Sequence, residues 1–545
     1  IYGDAGYNVN VITRQLFVVN SNTSSKPNAD LLTVAGDVIY GDGYGSSASS
    51  ALDDFADVVI GDKGEIFQDV LVARDTTRDQ VGLQRIQTTA IATLRNVESR
   101  NLQQGGDDTL YGTAGRDVMV GGPGNDAIDG GTLDDLVFGD NVVLTWRNND
   151  VTSLRFQTLG GLRLYSRTDF DNNSTLGYDN SGQLLVDGTA RNYRSPDANV
   201  PWWAEYAVTN LYQNTSMDSG LTGIGSFGND YIAGGANNDV IFGQLGNDTI
   251  QGDGSIDYIS HRYVDDVLAT IDPNLLGGRV TAFRIVGTPG CTSGLCDLIG
   301  PLTVYPSYEA ASDGDDYIEG GAGNDIAFGG LGQDDIVGGS SSFFSLITRD
   351  QRPDGSDRLF GGAGTRIARD LDSMVGAADQ HARDADTLVG DNGNIVRIVG
   401  TNHVDVGPVA KYVTFNYDNY SATAKIVVRG VTLLDYTWGG PDFRPDLFGL
   451  TAHAGFSDIL TVQPGRNIWT VDIGGNDELH GESGDDTAYG AVGHDVIFGD
   501  AQDDDLIGGW GFDWISGGTG QDGILGDDGR IFTSRNTACP GAASS

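Results

Sequence analysis

Single apolar residues recur every nine positions along much of the chain, and glycine-rich turns separate them. The pattern is clearest in residues 471–529, where units of the form G-G-x-G-x-D-x-U-x follow one another, U being a large apolar residue. The U positions there are Leu479, Ala488, Ile497, Leu506, Ile515 and Ile524. Side chains alternate between the faces of a strand, so a very short strand can point one apolar residue inward while its neighbours point to solvent. The pattern predicts a parallel β-roll, in which tight glycine turns alternate with such strands.

The sixth position of each unit is aspartate, in phase with the apolar position. Two units make one coil, so turns on the same edge of the roll are 18 residues apart. Stacked carboxylates repel one another, and so thin a core can hardly offset that repulsion and the entropy lost by the ordered glycines. Calcium resolves both problems, because it binds about six to eight oxygen atoms and each turn offers a carboxylate and accessible peptide carbonyls. We therefore predict that multiple calcium ions bind the roll.

These units resemble the RTX, or haemolysin-type, calcium-binding nonapeptides of secreted bacterial proteins. The resemblance implies that the ions lie between successive turns on one edge, and that the roll is largely unfolded without calcium. Because such sites are expected to need calcium at roughly millimolar levels, the resemblance also implies an extracellular or cell-surface location.

The predicted calcium ligands are the sixth-position aspartates of all units in register. They are Asp108, Asp117, Asp126, Asp135, Asp230, Asp239, Asp248, Asp257, Asp316, Asp325, Asp334, Asp357, Asp477, Asp486, Asp495, Asp504, Asp513 and Asp522. Leu133 replaces a fourth-position glycine, which puts the carbonyl geometry of that turn in doubt, and Arg366 replaces an aspartate, so we expect it to substitute for a cation. Asp495 has registered neighbours on both sides, so Asp495→Ala is expected to be more damaging than Asp334→Ala.

The predicted fold class is all-β, with several parallel β-roll blocks, each a calcium-binding β-solenoid, alternating with antiparallel β-sandwich-like inserts. The predicted segments are 1–102 (degenerate roll turns plus strands), 103–141 (roll), 142–224 (β insert), 225–260 (roll), 261–310 (β insert with a small cysteine loop), 311–394 (interrupted roll), 395–470 (β insert), 471–529 (longest roll) and 530–545 (tail). Residues 85–97 are predicted to form a strand beside 65–75, with a helix as the alternative.

The ends of several roll blocks share a second motif. VIGDKGEIF at 59–67, LVGDNGNIV at 388–396 and ILGDDGRIF at 524–532 all place Gly-Asp after two apolar residues. One interpretation is that each block ends by feeding a longer strand into a neighbouring sheet. The alternative is a shared turn with no modular meaning.

Composition and charge narrow the possible partners. The 545 residues carry a net charge of −44, which argues against nucleic acid and anionic membranes as partners. The sequence has no apolar run of about twenty residues that would insert into a membrane. Three cysteines exclude a disulfide scaffold. Cys291 and Cys296 can close a small loop in an oxidising compartment, free thiols being the alternative, and Cys539 is left over.

We predict that the chain is not an enzyme, because it lacks a GxSxG elbow, an HExxH pair and a P-loop. Its histidines are scattered, and for His480 and His494, which lie within repeats, solvent exposure is the simplest expectation. Two functional classes remain. The first is a structural or adhesive protein of a surface layer, filament or matrix, with inserts available to contact a glycan or cell-surface ligand. The second is an RTX-containing fragment of a larger secreted enzyme or toxin whose active domain lies outside this chain.

The two ends of the chain suggest self-assembly. The chain opens with IYGDAG, the tail of a unit, and closes shortly after ILGDDGRIF. If Ile1 is a processed terminus, the start of one subunit can complete the β surface of another, which predicts head-to-tail homopolymers. If the chain is truncated at Ile1, this prediction lapses.

Overall fold

The structure is a computed structural model that describes part of the chain. The described residues are 7–9, 16–18, 36–41, 57–70, 92–100, 102, 105–146, 154–157, 206–213, 227–264, 267–268, 278–284, 300–365, 380–398, 426–437 and 472–531. The three cysteines and Arg366 lie outside these residues.

Nearly all regular structure in the described residues is β-strand. The strands of the first half are β1 (Tyr7–Val9), β2 (Leu16–Val18), β3 (Val38–Tyr40), β4 (Val58–Ile60), β5 (Gly64–Val70), β6 (Ala92–Ser99), β7 (Thr109–Tyr111), β8 (Val118–Val120), β9 (Ala127–Thr132), β10 (Leu136–Phe138), β11 (Val142–Trp146), β12 (Phe156–Gln157), β13 (Tyr206–Leu211), β14 (Tyr231–Ala236), β15 (Val240–Leu245) and β16 (Thr249–Asp253). The remaining strands are β17 (Tyr263–Val264), β18 (Val267–Leu268), β19 (Thr281–Arg284), β20 (Leu302–Tyr305), β21 (Tyr317–Ala322), β22 (Ile326–Phe328), β23 (Asp335–Val337), β24 (Arg358–Phe360), β25 (Thr387–Val389), β26 (Gly393–Ile398), β27 (Arg429–Leu433), β28 (Glu478–His480), β29 (Thr487–Gly493), β30 (Val496–Phe498), β31 (Asp505–Gly511), β32 (Trp514–Ser516) and β33 (Gly523–Leu525). A 3-10 turn (Arg349–Gln351) and a one-turn helix, α1 (Gln380–Arg383), are the helical elements described.

Two ten-stranded parallel sheets form the body of the molecule. Sheet I runs β4-β8-β10-β15-β21-β23-β25-β29-β31-β33, and sheet II runs β3-β7-β9-β14-β16-β22-β24-β28-β30-β32. The order in both sheets follows the chain, which alternates between them, so each pair of strands is one coil of a roll. The predicted parallel β-rolls and smaller antiparallel sheets are both present. The sequence did not predict that the roll blocks would stack into one continuous roll: β10 pairs with β15, and β9 with β14, across residues 142–224.

One apolar side chain from each coil strand fills the space between the two sheets. The strand register places Ile232 between Ile128 and Ile250, and none of the three has exposed surface. The fully developed column contains Ile39, Val59, Leu110, Met119, Ile128, Val137, Ile232, Ile241, Ile250, Ile318, Ala327, Ile336, Leu359, Leu388, Leu479, Ala488, Ile497 and Leu506. The eighth position of the repeat is therefore the core position, as predicted.

The outer face of sheet I is covered, which corrects the expectation that residues beside the core column face solvent. Phe138, Phe242 and Tyr317 flank core residues and are buried because the antiparallel sheet β13-β11-β6-β5 packs over them. Val97 and Leu144 of this insert sheet are buried against the three aromatic residues. The insert sheet is a single layer that uses the roll as its second layer. Its strands β5 and β6 pair antiparallel, so the described part of 85–97 is strand.

The outer face of sheet II is covered in the same way. The antiparallel sheet β18-β17-β20-β19 lies over Phe328 and Phe360 and buries Val280 and Val304 against them. The aromatic stack continues to His480, which is buried rather than exposed as expected from the sequence. The shared Gly-Asp motifs at 59–67 and 388–396 lead directly into β5 and β26, which are strands of insert sheets.

A buried charge cluster fixes two further inserts to sheet I. β12 pairs parallel with β26, and β26 pairs antiparallel with β27. Asp335, on the outer side of β23, accepts hydrogen bonds from Arg397 (2.7 Å), Arg429 (2.9 Å) and Arg155 (3.0 Å). Burial alone raises the pKa of Asp335, but the three guanidinium groups hold it well below its usual range. Segments far apart in the sequence are thereby attached to one carboxylate of the roll.

Candidate metal centre

The sixth-position aspartates form two continuous ladders, one along each edge of the roll. The backbone N–H of each ladder aspartate donates to the carboxylate Oδ1 of the ladder aspartate in the next coil. Asp108 donates to Asp126 at 2.7 Å over a separation of 18 residues. Asp126 donates to Asp230 at 2.8 Å over a separation of 104 residues. The ladder geometry is therefore the same whether or not an insert lies between the coils.

Each ladder takes one aspartate from each coil, immediately before a strand of one sheet. The ladder beside sheet II consists of Asp37, Asp108, Asp126, Asp230, Asp248, Asp325, Asp357, Asp477, Asp495 and Asp513. The ladder beside sheet I consists of Asp57, Asp117, Asp135, Asp239, Asp316, Asp334, Asp386, Asp486, Asp504 and Asp522.

The predicted ligands all lie in these ladders except Asp257, where the predicted register is corrected. The chain leaves the roll after β16, so Asp316 takes the ladder place expected for Asp257 and accepts the N–H of Asp239 at 2.7 Å. Asp257 is exposed and accepts a hydrogen bond from the Tyr111 hydroxyl at 3.2 Å. Ile259, the core residue expected from the same unit, is 60% exposed.

Asp37, Asp57 and Asp386 are ladder members that the sequence reasoning missed. Asp386 accepts the N–H of Asp334 at 2.7 Å and donates its own N–H to the next member. Asp334 therefore has a ladder neighbour on each side, which removes the reason for ranking it below Asp495. A shared signal was present in the sequence: all three missed aspartates are followed by three strand residues and a Gly-Asp pair.

The second carboxylate oxygen of a ladder aspartate faces a first-position glycine. A Cβ built on Gly243 would lie 2.6 Å from Asp248 Oδ2 and 2.6 Å from the carbonyl oxygen of Gly320 in the next coil. Real Cβ atoms are not found so close to other atoms, so only glycine fits at this position. Glycine thus leaves a small space lined by a carboxylate oxygen and a carbonyl oxygen from adjacent turns.

Many of these Oδ2 atoms are buried and make no hydrogen bond in the part of the chain that the structure describes. They belong to Asp126, Asp135, Asp230, Asp239, Asp248, Asp316, Asp325, Asp334, Asp357, Asp386, Asp486, Asp495, Asp504 and Asp513. Leaving a buried carboxylate oxygen without a partner is unfavourable. Carboxylate and carbonyl oxygens are the ligands that calcium prefers, so this donor set fits calcium. Bound ions would be held by Oδ2 and glycine carbonyl oxygens, and would supply the positive charge that the stacked carboxylates lack.

Burial raises the pKa of the ladder carboxyl groups. It raises the pKa of Asp248 to about 7, and that of Asp513, near the end of the roll, to about 6. For Asp239, burial and then the charges of Asp135 and Asp316 raise the pKa well above its ordinary value. Burial therefore disfavours the charged form of these carboxyl groups, and a bound cation would offset that cost.

The fifth position forms a second set of inter-coil hydrogen bonds, which the sequence reasoning treated as a free position. Asn229 donates its N–H to the side chain of Asn125, and Asn247 donates to Asn229, each at 2.8 Å. The direction is opposite to that of the aspartate ladder, so adjacent turns are joined reciprocally. His494 belongs to this set: its Nδ1 accepts the N–H of Phe512 at 2.9 Å. The recurrent Gly-Asn-Asp triplet was the signal for these bonds.

The unbroken turns have positive φ at their second position and many also have it at their fourth. Gly122 has φ 108° and Gly124 has φ 154°. Leu133 and Gln502 adopt the same left-handed region at a fourth position, with φ 74° and 77°. The turn containing Leu133 keeps its ladder aspartate, Asp135, in place. The missing glycine therefore strains this turn without displacing the ladder.

All inserts leave the roll at the same point of a turn. In an unbroken turn the first-position glycine faces the aspartate of its own unit, whereas at an insert it faces the aspartate that follows the insert. We call the second kind split turns. They pair Gly41 with Asp57, Gly61 with Asp108, Gly139 with Asp230, Gly252 with Asp316, Gly338 with Asp357, Gly361 with Asp386 and Gly390 with Asp477. Core and ladders therefore continue through every insertion.

One further group in the described residues has metal-ligand chemistry. Ligand atoms of His381, Asp485 and Asp503 all lie within 4.8 Å of one another. Asp485 already accepts hydrogen bonds from His381 Nδ1 (2.6 Å) and from the Asp503 N–H (3.0 Å). These bonds account for the arrangement without an ion.

The roll and its buried carboxylate ladders define a calcium-binding repeat protein. The family described as the RTX calcium-binding nonapeptide repeat matches the chain in four copies, at residues 104–137, 224–259, 311–342 and 473–506. The chain therefore carries RTX repeats, which bind several calcium ions and indicate a calcium-binding secreted bacterial protein. The roll also includes coils outside these matches, such as β3 with β4 and β24 with β25. No curated protein matches the sequence of the chain. No helix in the described part has the length and hydropathy to cross a membrane.

Proposed function

We propose that the protein is an extracellular, calcium-stabilised structural or adhesive component of a surface layer, filament or matrix, without enzymatic activity. The observation that carries this proposal is the continuity of the roll through every insertion. With strands about 4.8 Å apart, ten coils make a rod roughly 45 Å long. Insert sheets packed on both outer faces thicken this rod, which suits a mechanical role.

Self-assembly head to tail is part of the proposal. The aspartate ladders keep one direction throughout, each N–H donating toward the later coil. The first coil of one copy, with Asp37, is therefore a chemical continuation of the last coil of another copy, with Asp513. The end strand β33 also presents Ile524, which is 46% exposed, as an apolar contact.

Calcium controls this assembly in our proposal, because each chain carries a net charge of −44. Two such chains repel one another unless cations bind at the junction. The insert sheet over sheet II exposes Val267, Leu268 and Phe283, and we propose this surface as the contact for a glycan or other cell-surface ligand.

Electron microscopy and sedimentation velocity in millimolar calcium, with and without chelator, test the assembly. We expect linear polymers with calcium and dissociation on chelation, and monomers under both conditions would contradict the proposal. Ile524→Lys at the end strand is expected to abolish polymers and to leave the calcium-dependent circular dichroism unchanged. Val267→Lys, at an exposed apolar site on an insert, is the matched control and should polymerise. A hydrolase, peroxidase or pore-forming domain in the same reading frame would instead favour a fragment of a secreted enzyme or toxin.

A further inference from the structure

Several split turns carry an aspartate where unbroken turns carry glycine or another residue with positive φ. Asp62, Asp140, Asp253 and Asp391 occupy the second position of a turn, directly after the first-position glycine. Second-position Gly122 has φ 108°, whereas none of these four aspartates has a positive φ. The chain is leaving the turn at this point, so glycine is not required there. That relaxation permits a side chain, but it does not explain why the side chain is a carboxylate.

We call these four residues exit aspartates. One carboxylate oxygen of an exit aspartate accepts a backbone hydrogen bond from the chain that returns from the insert. Asp253 Oδ1 accepts the N–H of Gly314 at 3.2 Å, across residues 254–313. Asp391 Oδ1 accepts the N–H of Gly475 at 2.8 Å in the same way. The exit aspartate therefore joins the residue where the chain leaves the roll to the residue where the chain re-enters it.

The other oxygen has no such bond at two of the split turns. Asp140 is fully buried and Asp253 is 1% exposed. Asp140 Oδ2 accepts the N–H of Leu245 at 3.0 Å, and the backbone of Gly228, on the returning chain, also interacts with the Asp140 carboxylate. Asp140 Oδ1 and Asp253 Oδ2 are nevertheless buried and make no hydrogen bond of ordinary geometry to the described residues. Asp253 Oδ2 occupies the space that a Cβ on Gly330 would need, so it points into the adjacent turn.

Both exit aspartates interact electrostatically with ladder carboxylates. Asp140 interacts electrostatically with Asp126, Asp230 and Asp248, and Asp253 with Asp239, Asp316 and Asp334. Most unbroken turns have ladder aspartates alone. These two split turns add a further carboxylate to the same group, as Asp500 does in the unbroken turn that ends at Asp504. Without a cation, another buried negative charge beside a ladder is strongly unfavourable.

We propose that Asp140 and Asp253 are additional calcium ligands, and that the two split turns containing them bind calcium more tightly than unbroken turns that have no second-position carboxylate. More carboxylates in a calcium site raise its affinity. The bound ion would close the base of an insert by joining the chain before the insert to the chain after it. This inference rests on calcium binding by the ladders and does not depend on the proposed rod assembly.

The test uses the full chain with Asp253→Asn and, separately, Asp140→Asn. Asparagine keeps an oxygen that can accept the Gly314 or Leu245 N–H, but it loses the charge needed for tight calcium binding. Calcium titration calorimetry and counting of ions retained after dialysis should show one tightly bound ion lost or weakened at least about tenfold in each variant. In Asp253→Asn, hydrogen exchange of residues 312–318 should quicken at limiting calcium and return to the wild-type rate at saturating calcium.

Asp129→Asn is the matched control. Asp129 is also buried and accepts hydrogen bonds from insert residues Ser255 (2.6 Å) and Ile256 (3.0 Å), but it lies outside the ladders. It should keep the wild-type ion count and affinity. Equal calcium binding by Asp253→Asn, Asp140→Asn and the control would overturn the inference, as would an exchange rate that does not respond to calcium. A wild-type chain that binds no calcium would instead defeat the calcium assignment of the ladders.

A measurement on the wild-type protein covers the case in which a variant fails to fold. Crystals grown with calcium and examined by anomalous scattering should show ions within about 2.3–2.6 Å of Asp140 Oδ1 and Asp253 Oδ2. Ions found only between ladder carboxylates, with both of these oxygens out of reach, would refute the inference.

Discussion

The uninterrupted coils of residues 472–531 and the interrupted coils of residues 57–398 use the same ladders but differ in what covers them. In the uninterrupted region Phe512 is 63% exposed and Trp514 is 48% exposed. In the interrupted region Phe138 and Phe242 are buried beneath an insert sheet. The last coil of the most regular stretch of sequence is therefore less covered than the coils beneath the insert sheet. The aspartate ladders are the same in both regions, whereas the insert sheets add apolar burial on the outer faces of the interrupted region.

Calcium removal is expected to have the largest effect and to separate the two regions. Chelation leaves the stacked buried carboxylates without a counter-charge, which should exceed the roughly 5–15 kcal/mol net stability of an ordinary domain. Circular dichroism should show loss of β-structure. Hydrogen exchange at decreasing calcium should release residues 472–531 before residues 105–146. Protection from hydrogen exchange that lasts longer in residues 472–531 than in residues 105–146 would contradict this expectation.

Truncation of outer-face aromatic residues compares apolar burial directly. Phe242→Ala removes a ring that stacks on Phe138 at 5.1 Å between centroids and contacts Phe344 at 4.9 Å. We expect it to lower the free energy of unfolding by about 3–5 kcal/mol. Trp514→Ala at the exposed end should change it by less than about 1 kcal/mol. Chemical denaturation in saturating calcium measures both, and equal effects would show that the insert layer adds little.

Ladder substitutions should have the same effect in both regions. Asp334→Ala and Asp495→Ala each remove an acceptor of a ladder hydrogen bond, and each should cost about 1–3 kcal/mol before any loss of calcium is counted. Asp257→Ala is the control, because Asp257 has the same sequence register but lies outside the ladders; it should cost within about 0.5 kcal/mol. A much larger effect of Asp495→Ala than of Asp334→Ala would restore the ranking expected from sequence register alone.

The pH dependence should reverse when calcium is removed. Burial raises the pKa of Asp248 to about 7 and that of Asp513 to about 6, so the folded protein binds more protons than the unfolded chain below these values. In excess chelator, where the chain is unfolded near pH 8, the folded fraction measured by circular dichroism should therefore increase as the pH is lowered to about 5. As the pH is raised again, Asp513 should lose its proton before Asp248, because its pKa is the lower of the two, so the last coil should lose its structure first. In saturating calcium, acid should lower the melting temperature instead, because protons compete for the same oxygens.

The smallest expected effect concerns the strained fourth positions. Leu133→Gly relieves a left-handed conformation in the interrupted region and should stabilise the protein by up to about 1 kcal/mol. Gln502→Gly relieves the same strain but also removes the Gln502 side chain, whose Oε1 accepts the Gly484 N–H at 2.7 Å. It should therefore be neutral or slightly destabilising. Thermal melts in saturating calcium distinguish the two, and a destabilising Leu133→Gly would show that the leucine side chain has a packing role.

The repeat period was enough to predict the core column and most of the ladder. An aspartate and an apolar residue two positions later determine both the turn and the inward side chain, so Asp126 and Ile128 could be placed without coordinates. The hydrogen bond from Asp126 to Asp230 could not, because it depends on how an intervening insert folds. Asp257 shows the opposite error: its spacing continues the register after the chain has already left the roll.

The outer layer was not predictable from the repeat. Phe242 and Trp514 both flank a core residue, and nothing in their own units distinguishes a buried ring from an exposed one. The difference arises from which insert sheet lies above them. His480 illustrates the same point, because Phe360 and Phe498 stack on its ring at 5.1 and 4.5 Å. Burial lowers its pKa, but Asp500 and Glu478 more than compensate and raise it to about 9.

The split turns also have a consequence for the order of folding. A ladder contact in the uninterrupted coils closes a loop of 18 residues, as between Asp477 and Asp495, whereas the contact between Asp357 and Asp477 closes 120 residues. The longer closure costs about 1.7 kcal/mol more in chain entropy. Low contact order therefore favours nucleation in residues 472–531. The stretch that ends in the exposed last coil is therefore the one best placed to fold first and to serve as a template for the rest.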